Sequence, residues 1–337
     1  MRIAVVGLGF MGATHLRAIL AGAANLHAVV SGSERKLQGD LRGAGGNLGS
    51  DDDDARFDFS GVKKYRELSQ ALNDPEIEAV DLCLPTDLHE SAAIEALQHG
   101  KHVLVEKPMA LDEAACRRMI QAARVAKRML MVAQVLRFFP AYLQLRAARA
   151  EIGSIRGASF RRRCARPAWG AWLADPVRSG GGVFDLLIHD VDQALLLFGA
   201  PQSISAAGHQ NLALGIDKLD ARLNYAAGFT ITIAGGWYPG AFPFSMDYTL
   251  VGDGGTIDFS SAGSPPTLYR ADGTIQALPQ QEGDGYRDEI SYFQKCCEEA
   301  CEPKRCLPEE SAAAVRLTRA LSEARQSNGE TIAWTDN

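Results

Sequence analysis

Gly7, Gly9 and Gly12 are the residues whose type and spacing point most directly to chemistry. They form G-x-G-x-x-G within Ile3-Ala-Val-Val-Gly-Leu-Gly-Phe-Met-Gly12, after a short apolar run and before a helical one, Met11 to Leu20. That order suits a dinucleotide. Gly7 allows the tight turn out of a strand, and Gly9 lets a pyrophosphate approach the backbone through Leu8, Phe10 and Met11. Gly12 lets the helix pack close to the sheet with its N-terminal amides facing the phosphates. The end of the next strand, Leu26 to Val30, bears on which dinucleotide. NAD-preferring sites place Asp or Glu about 20 residues past the glycines. Here the sequence is Ser31-Gly-Ser-Glu-Arg-Lys36. Hydroxyls at Ser31 and Ser33, flanking Gly32, with Arg35 and Lys36 behind them, could hold a 2′-phosphate, so NADP is expected ahead of NAD. Glu34 as a ribose ligand and Ser33 as a plain helix cap are the alternatives.

These residues need a parallel sheet to position them. Strands read at Ile3 to Val6, Leu26 to Val30, Val62 to Tyr65, Ala79 to Leu84, Lys101 to Val105 and Met129 to Gln134, the first and fourth of them buried, with helical segments between. The alternation predicts an α/β fold, a Rossmann-type doubly wound parallel sheet over 1–136 that binds its ligand at the carboxyl ends of the strands. Past about residue 140 consecutive strands follow (Ser154 to Arg163, Ile204 to Gly208, Leu219 to Tyr225, Phe229 to Ile233, Tyr248 to Val251), interrupted by a helix at Phe184 to Phe198. The expectation for 137–337 is an α+β domain with a mostly antiparallel open sheet, for substrate binding and oligomerisation. Its last helices (Tyr286 to Cys301, Glu309 to Arg325) could pack back on the first domain. Residues 39–60, with Gly43 to Gly46 and Asp51 to Asp54, read as a mobile surface excursion, lacking the alternating ligands of a calcium loop.

Composition narrows the function classes. The chain has 337 residues, about two domains, with 46% hydrophobic and 23% charged residues, as in ordinary globular proteins. A net charge of −6 gives no general attraction to nucleic acid or anionic membrane, so neither is an expected partner. No apolar run approaches a membrane span and nothing resembles a signal peptide, so a cytoplasmic location is expected. Of seven cysteines, Cys296, Cys297, Cys301 and Cys306 cluster, but the spacing and the lack of nearby histidine fit zinc poorly, and no metal is expected.

Two further stretches complete a pattern: Gly100-Lys-His-Val-Leu-Val-Glu-Lys-Pro108 and Ser179-Gly-Gly-Gly-Val-Phe-Asp-Leu-Leu-Ile-His-Asp-Val-Asp192. With the glycine turn, in that order, they resemble the Gfo/Idh/MocA family of nicotinamide-dependent oxidoreductases over essentially the whole chain. The resemblance implies a catalytic lysine at Lys107 and an Asp–His pair at Asp185 and His189, which positions i and i+4 would place on one helical face. Lys107 would bridge the substrate hydroxyl and the nicotinamide ribose. His189 would be the general acid/base, an imidazole suiting work near neutrality, and Asp185 would fix a substrate hydroxyl or bias the histidine. Leu84, Pro85, Thr86 and His89 match the loop beside the cofactor, although Asp87 stands where Asn is usual. Glu106 would approach the nicotinamide end, and Gln134 would line the next strand end.

For substrate binding, Arg137 could hold an anionic or polyhydroxylated ligand or form a salt bridge, and Trp172 or Trp169 could stack on a sugar or pack. Asp190 and Asp192 read as structural, and zinc at His189 is discounted. The implied reaction is hydride transfer at a hydroxyl or carbonyl carbon of a small sugar, polyol or cyclitol. The alternatives are a non-catalytic nucleotide-binding regulator and an enzyme for an imine, enone or dihydrodiol. Family members pair their open sheet faces, so a homodimer or homotetramer is expected, with alternating apolar residues from Ala221 to Ile233 as the supporting pattern.

Overall fold

Ile3, Ala4, Val5 and Val6 are almost completely buried, as a strand covered on both faces requires. A computed structural model describes residues 1–46, 55–168, 170–279, 283–327 and 329–335. Asp51 to Asp54 and Trp169 lie outside the described residues. The described chain forms two compact units. The first comprises 1–138, 167–172 and 284–313, and the second comprises 139–166, 173–283 and 314–337.

The first unit holds β1 (Arg2–Val6), β2 (Asn25–Val30), β3 (Lys63–Tyr65), β4 (Ala79–Leu82), β5 (His102–Glu106) and β6 (Leu130–Ala133). All pair in parallel, in the order β3-β2-β1-β4-β5-β6. The order reverses at β1, so the crevice beside its carboxyl end is the switch point where open α/β sheets bind ligands. The helices are α1 (Phe10–Ala18), α2 (Glu34–Leu37), α3 (Leu68–Leu72), α4 (His89–Gln98) and α5 (Glu113–Ala126). The π-turn Ile19–Ala23 continues α1, with Gly22 at positive φ. A core of Ile3, Val5, Leu16 and Val29 includes Ile290 and Phe293 from later in the chain.

The excursion after α2 is more anchored than its composition suggests. Asp40 bridges to Arg56, and Leu41, Ala55 and Phe59 are buried in the same core. Three apolar side chains too dispersed to show a period fix both ends of it.

In the second unit lie α6 (Pro140–Ala148), α7 (Pro176–Ser179) and α8 (Ile188–Phe198). Its strands are β7 (Ile155–Ala165), β8 (Ser203–Asn211), β9 (Ile216–Asn224), β10 (Thr230–Tyr238), β11 (Ser245–Gly252), β12 (Gly255–Ser260), β13 (Thr267–Arg270), β14 (Ile275–Ala277) and β15 (Ile332–Ala333). They form one sheet, β14-β13-β12-β11-β7-β10-β9-β8-β15, antiparallel except for the parallel pair β7–β10. The fold is therefore a Rossmann-type α/β unit and an α+β unit with a mostly antiparallel sheet. The helices α9 (Gly285–Glu298) and α10 (Pro308–Ala324) follow.

Ala221, Leu223, Ile231 and Ile233 are buried within the isolated chain, and α8 lies against β7 and β10. Alternation leaves Asp220, Arg222, Thr230 and Thr232 partly or fully exposed. The apolar half of the Ala221 to Ile233 pattern is thus accounted for inside the unit. Among the described residues no helix is long and apolar enough to cross a membrane.

Candidate functional site

At the glycine turn the fit is backbone against backbone. Gly7 has φ +92°, and a Cβ there would stand 2.4 Å from the Cys83 carbonyl oxygen. A Cβ on Gly12 would stand 2.0 Å from the Gly7 carbonyl oxygen. Neither obstacle can swing aside, so both positions require glycine. A Cβ on Gly9 would meet nothing within 4 Å. The first and third glycines close the turn, and the second faces open space at the start of α1, where a pyrophosphate needs it. The residues present therefore fit a dinucleotide.

At the end of β2, Ser31 Oγ accepts a hydrogen bond from the Ser33 backbone N–H at 3.2 Å. Ser33 occupies the N-cap of α2, but its side chain makes no capping hydrogen bond. Exposed Arg35 donates to Asp40 Oδ1 at 3.1 Å and to the Arg42 carbonyl at 3.2 Å. Glu34 pairs with Arg66, at the end of β3, and accepts from Gln38. Arg66 was not legible as a site residue, because its position follows only from β3 lying beside β2. Its sequence signal is a basic residue directly after a short strand.

Around the ends of β4 and β5 the side chains tie loops together. Buried His89 places Nδ1 2.9 Å from the Pro108 carbonyl oxygen and Nε2 2.9 Å from that of Leu84. Burial pushes this imidazole below its usual value despite the two carbonyls. His89 thus links the Leu84–Pro85–Thr86 loop to the segment after Lys107. Thr86 is buried, and Leu84 and Pro85 are half-buried. Lys107 is half-buried and donates its backbone N–H to its neighbour's Glu106 Oε2 at 3.0 Å. Glu106 itself is buried, with His15 Nε2 3.0 Å from its Oε1.

Gln134 and Arg137 are each 2% exposed. Arg137 donates to the Arg305 carbonyl and pairs with Glu310, both in its own unit, which is the salt-bridge alternative for this residue. Trp172 is half-buried.

In the second unit a run of glycines leads into the helix bearing Asp185 and His189. Gly180 and Gly181 have φ of +72° and +77°. Here side chains press in. A Cβ on Gly181 would lie 2.3 Å from Asp217 Oδ2, and one on Gly182 would lie 2.7 Å from the Trp237 ring. Asp217 is fully buried, accepting from the Val183 N–H at 3.3 Å, Gln210 Nε2 at 3.2 Å and Arg325 Nη1 at 2.6 Å. Val183–Leu187 then winds as a π-turn before α8 begins. Local π-turns recur at functional sites because they re-aim side chains.

The burial pattern shows what is aimed. From residue 181 to residue 194 every side chain is buried except those of Asp185 and His189. Asp185 Oδ2 accepts from Trp237 Nε1 at 3.3 Å. Asp190 points into the unit and forms a buried two-point pair with Arg162, at 2.9 and 3.0 Å, which also donates to Tyr142. Burial raises the Asp190 carboxyl against the lowering influence of Arg162. The sequence pattern contained Asp185 and His189, but not Trp237, Asp217 or Arg325, which come from distant strands and a late segment.

Comparison with known proteins agrees with this architecture. Residues 1–134 match an oxidoreductase family described by its NAD-binding Rossmann fold, and residues 142–258 match the GFO/IDH/MocA C-terminal domain. A scyllo-inositol 2-dehydrogenase (NADP(+)) of Bacillus subtilis is 30% identical over 162 residues, 45% of this chain and 48% of that protein. A scyllo-inositol 2-dehydrogenase (NAD(+)) of the same organism is 31% identical over 212 residues, covering 62% and 57%. The chain thus spans about half the length of the curated relatives it matches. The fold is also that of an aldose-aldose oxidoreductase from Caulobacter crescentus complexed with glycerol. That match has a TM-score of 0.81 at 20% identity, covering 99% of each chain.

Proposed function

The chain belongs to the Gfo/Idh/MocA family of oxidoreductases, and from that premise we propose that it transfers hydride between a nicotinamide dinucleotide and a hydroxyl- or carbonyl-bearing carbon of a sugar, polyol or cyclitol. The observation that carries this reading is the 181–194 segment, where an acid and an imidazole are the two side chains left accessible in a stretch otherwise buried. When bound, the dinucleotide supplies the two-electron acceptor or donor, held by the Gly7–Gly12 turn and the first amides of α1.

The chain's own residues handle charge and protons. In the oxidative direction His189 takes the proton of the substrate hydroxyl, and Asp185, held by Trp237, orients that hydroxyl or the imidazole. The Lys107 ammonium stabilises alkoxide character as the C–H bond breaks. In reduction the same groups return the proton.

NADP is assigned ahead of NAD. Support comes from the missing acid at the end of β2, the hydroxyls of Ser31 and Ser33, and the basic residues Arg35 and Arg66. A paired titration tests it: NADPH should bind more tightly than NADH, and the reverse order would make Glu34 the discriminating residue. Homo-oligomerisation through the outer face of the second sheet belongs to the same proposal, and a monomer by sedimentation at micromolar concentration would remove it.

The activity test is a panel of inositols, aldoses and anhydrosugars with NADP⁺ and NAD⁺, followed by nicotinamide absorbance. Lys107→Ala should lower turnover by about 10³-fold with nucleotide affinity within a few fold of wild type. Unchanged turnover in that variant would take Lys107 out of the mechanism. Nucleotide binding without turnover of any panel member would favour the regulator reading.

A further inference from the structure

The clustered cysteines at the end of α9 take no part in the proposed reaction. The helix has Glu299 as its C-cap, followed by Ala300 at φ +50°. Two backbone hydrogen bonds close this end. The Cys301 N–H donates to the Cys296 carbonyl at 3.1 Å, and the Ala300 N–H donates to the Cys297 carbonyl at 3.4 Å. A 6→1 and a 5→2 bond around a left-handed residue make a Schellman cap, in which the side chains of the two residues joined by the 6→1 bond commonly meet. Here those residues are Cys296 and Cys301, and the Cys296 thiol has the Cys301 side chain as a hydrogen-bonding neighbour. With 3.1 Å between Cys301 N and Cys296 O, covalent geometry keeps the two α-carbons no more than about 7 Å apart, and closer for any bent arrangement. That is within the reach of a disulfide.

Exposure divides the labour that a two-thiol reaction needs. Cys301 is exposed, so it can meet a reagent from solvent, whereas Cys296 is buried. Burial raises the Cys296 thiol against the lowering influence of Tyr292, which makes it a poor first nucleophile. Cys297 lies one residue on, about 100° around the helix. It packs against the core of the first unit, and burial pushes its thiol up as well. Cys306 is completely buried in that same core.

We propose that Cys296 and Cys301 are a disulfide-forming pair that reacts with hydroperoxides, Cys301 as the thiol oxidised first and Cys296 as the resolving thiol. The Cys301 thiolate attacks one oxygen of hydrogen peroxide and the O–O bond breaks, giving a sulfenic acid. The other oxygen leaves as hydroxide and takes up the proton that Cys301 gave up, as water. The Cys296 sulfur then attacks the Cys301 sulfur. The S–S bond forms, the S–O bond breaks, and the hydroxyl leaves as a second water with the Cys296 proton. Two thiols and one peroxide give one disulfide and two waters, the sulfurs supplying the two electrons that reduce the peroxide. The pair protects the exposed thiol. Alone it would climb to sulfinic and sulfonic acids, which thiols do not reverse, whereas a disulfide is reversed by thiol exchange. This assignment does not rest on the hydride-transfer reading.

The test is oxidation of the reduced, full-length protein with hydrogen peroxide. Remaining thiols are blocked with iodoacetamide, the disulfide is reduced with dithiothreitol, and the released thiols are labelled with N-ethylmaleimide. Trypsin frees residues 296–304 as one peptide, so Cys296, Cys297 and Cys301 are read in a single fragmentation spectrum. The maleimide should lie on Cys296 and Cys301, with iodoacetamide on Cys297. Protein oxidised in urea is the reference, where the cap is lost and pairings with Cys297 should appear as well.

Cys297→Ser should form the same disulfide as wild type. Adding Cys296→Ser removes the resolving thiol, and Cys301 should then go on to the sulfinic or sulfonic acid that dithiothreitol does not recover. Maleimide on Cys297 in the folded wild type, or the same mixture of pairings as in urea, overturns the proposal. So does a Cys301 that stays a thiol, or one oxidised irreversibly while Cys296 remains a thiol.

Discussion

Two glycine turns open two helices in this chain, and they are made in opposite ways. At Gly7–Gly12 the obstacles that exclude a side chain are main-chain carbonyls, those of Cys83 and Gly7. At Gly180–Gly182 they include the Asp217 carboxylate and the Trp237 indole, side chains that also hydrogen-bond the turn or the residue beyond it. A turn built from backbone holds its shape whatever the neighbouring side chains are, and it presents amides. A turn built on side chains holds its shape only while those side chains are paired. The first suits a constant ligand such as pyrophosphate. The second suits a helix whose two accessible residues must be aimed.

The contrast can be broken most severely at Asp217. Asp217→Ala leaves Arg325 with 9% side-chain exposure and no carboxylate at 2.6 Å, and should destabilise the protein by about 3–5 kcal/mol in denaturant titration. A loss under about 1 kcal/mol would mean that the buried pair does not hold the turn. Next in size is Gly12→Val. Its Cβ would meet a backbone oxygen at 2.0 Å, so NADPH affinity should fall by about 100-fold or more, roughly 2.7 kcal/mol, in a fluorescence titration. Trp237→Phe keeps the ring that fills the space beside Gly182 and removes the donor to Asp185. It should cost about 1 kcal/mol in kcat/KM with nucleotide affinity unchanged.

The smallest effect is one of pH. Against burial, Asp81 and Cys83 hold the His15 value up, which makes its stabilisation complete below about 6.5, its unfolded value, and progressively lost as pH rises through the folded value. Against burial, His15 and then Lys107 hold the Glu106 value down, which makes its contribution complete above the ordinary carboxylate value of about 4.3 and lost as pH falls. The Tm difference between wild type and His15→Asn should therefore be widest between about pH 4.5 and 6.5 and narrow toward alkaline pH. A difference that widens with pH would contradict that assignment.

The same contrast explains what was legible in the sequence. The β1 turn could be read because its requirements are local: a buried apolar strand, glycines at fixed offsets, then a helix. The parallel sheet followed from the alternation of such units, and the antiparallel sheet from strands in succession. The partners of the second turn lie on β9, on β10 and in the segment after α10, and no spacing announces which aspartate or tryptophan will meet a given glycine. His15 was hidden differently. In sequence it is one histidine in a helix, and its burial between Asp81 and Glu106 depends on strand order placing β4 and β5 beneath α1. Arg137 shows the converse, because a basic residue at a strand end suits a ligand until the fold supplies Glu310.

The central claim is that the first turn binds nucleotide and the second serves the chemistry, and it can be tested without knowing the substrate. NADPH titrations of wild type, Gly9→Val and His189→Asn would do so, each checked for an unchanged melting profile. Gly9→Val fills open space without touching the fold, so binding should be lost there, while His189→Asn should bind within about threefold of wild type (under about 1 kcal/mol). Wild-type affinity in Gly9→Val, or loss of binding in His189→Asn, would contradict the account.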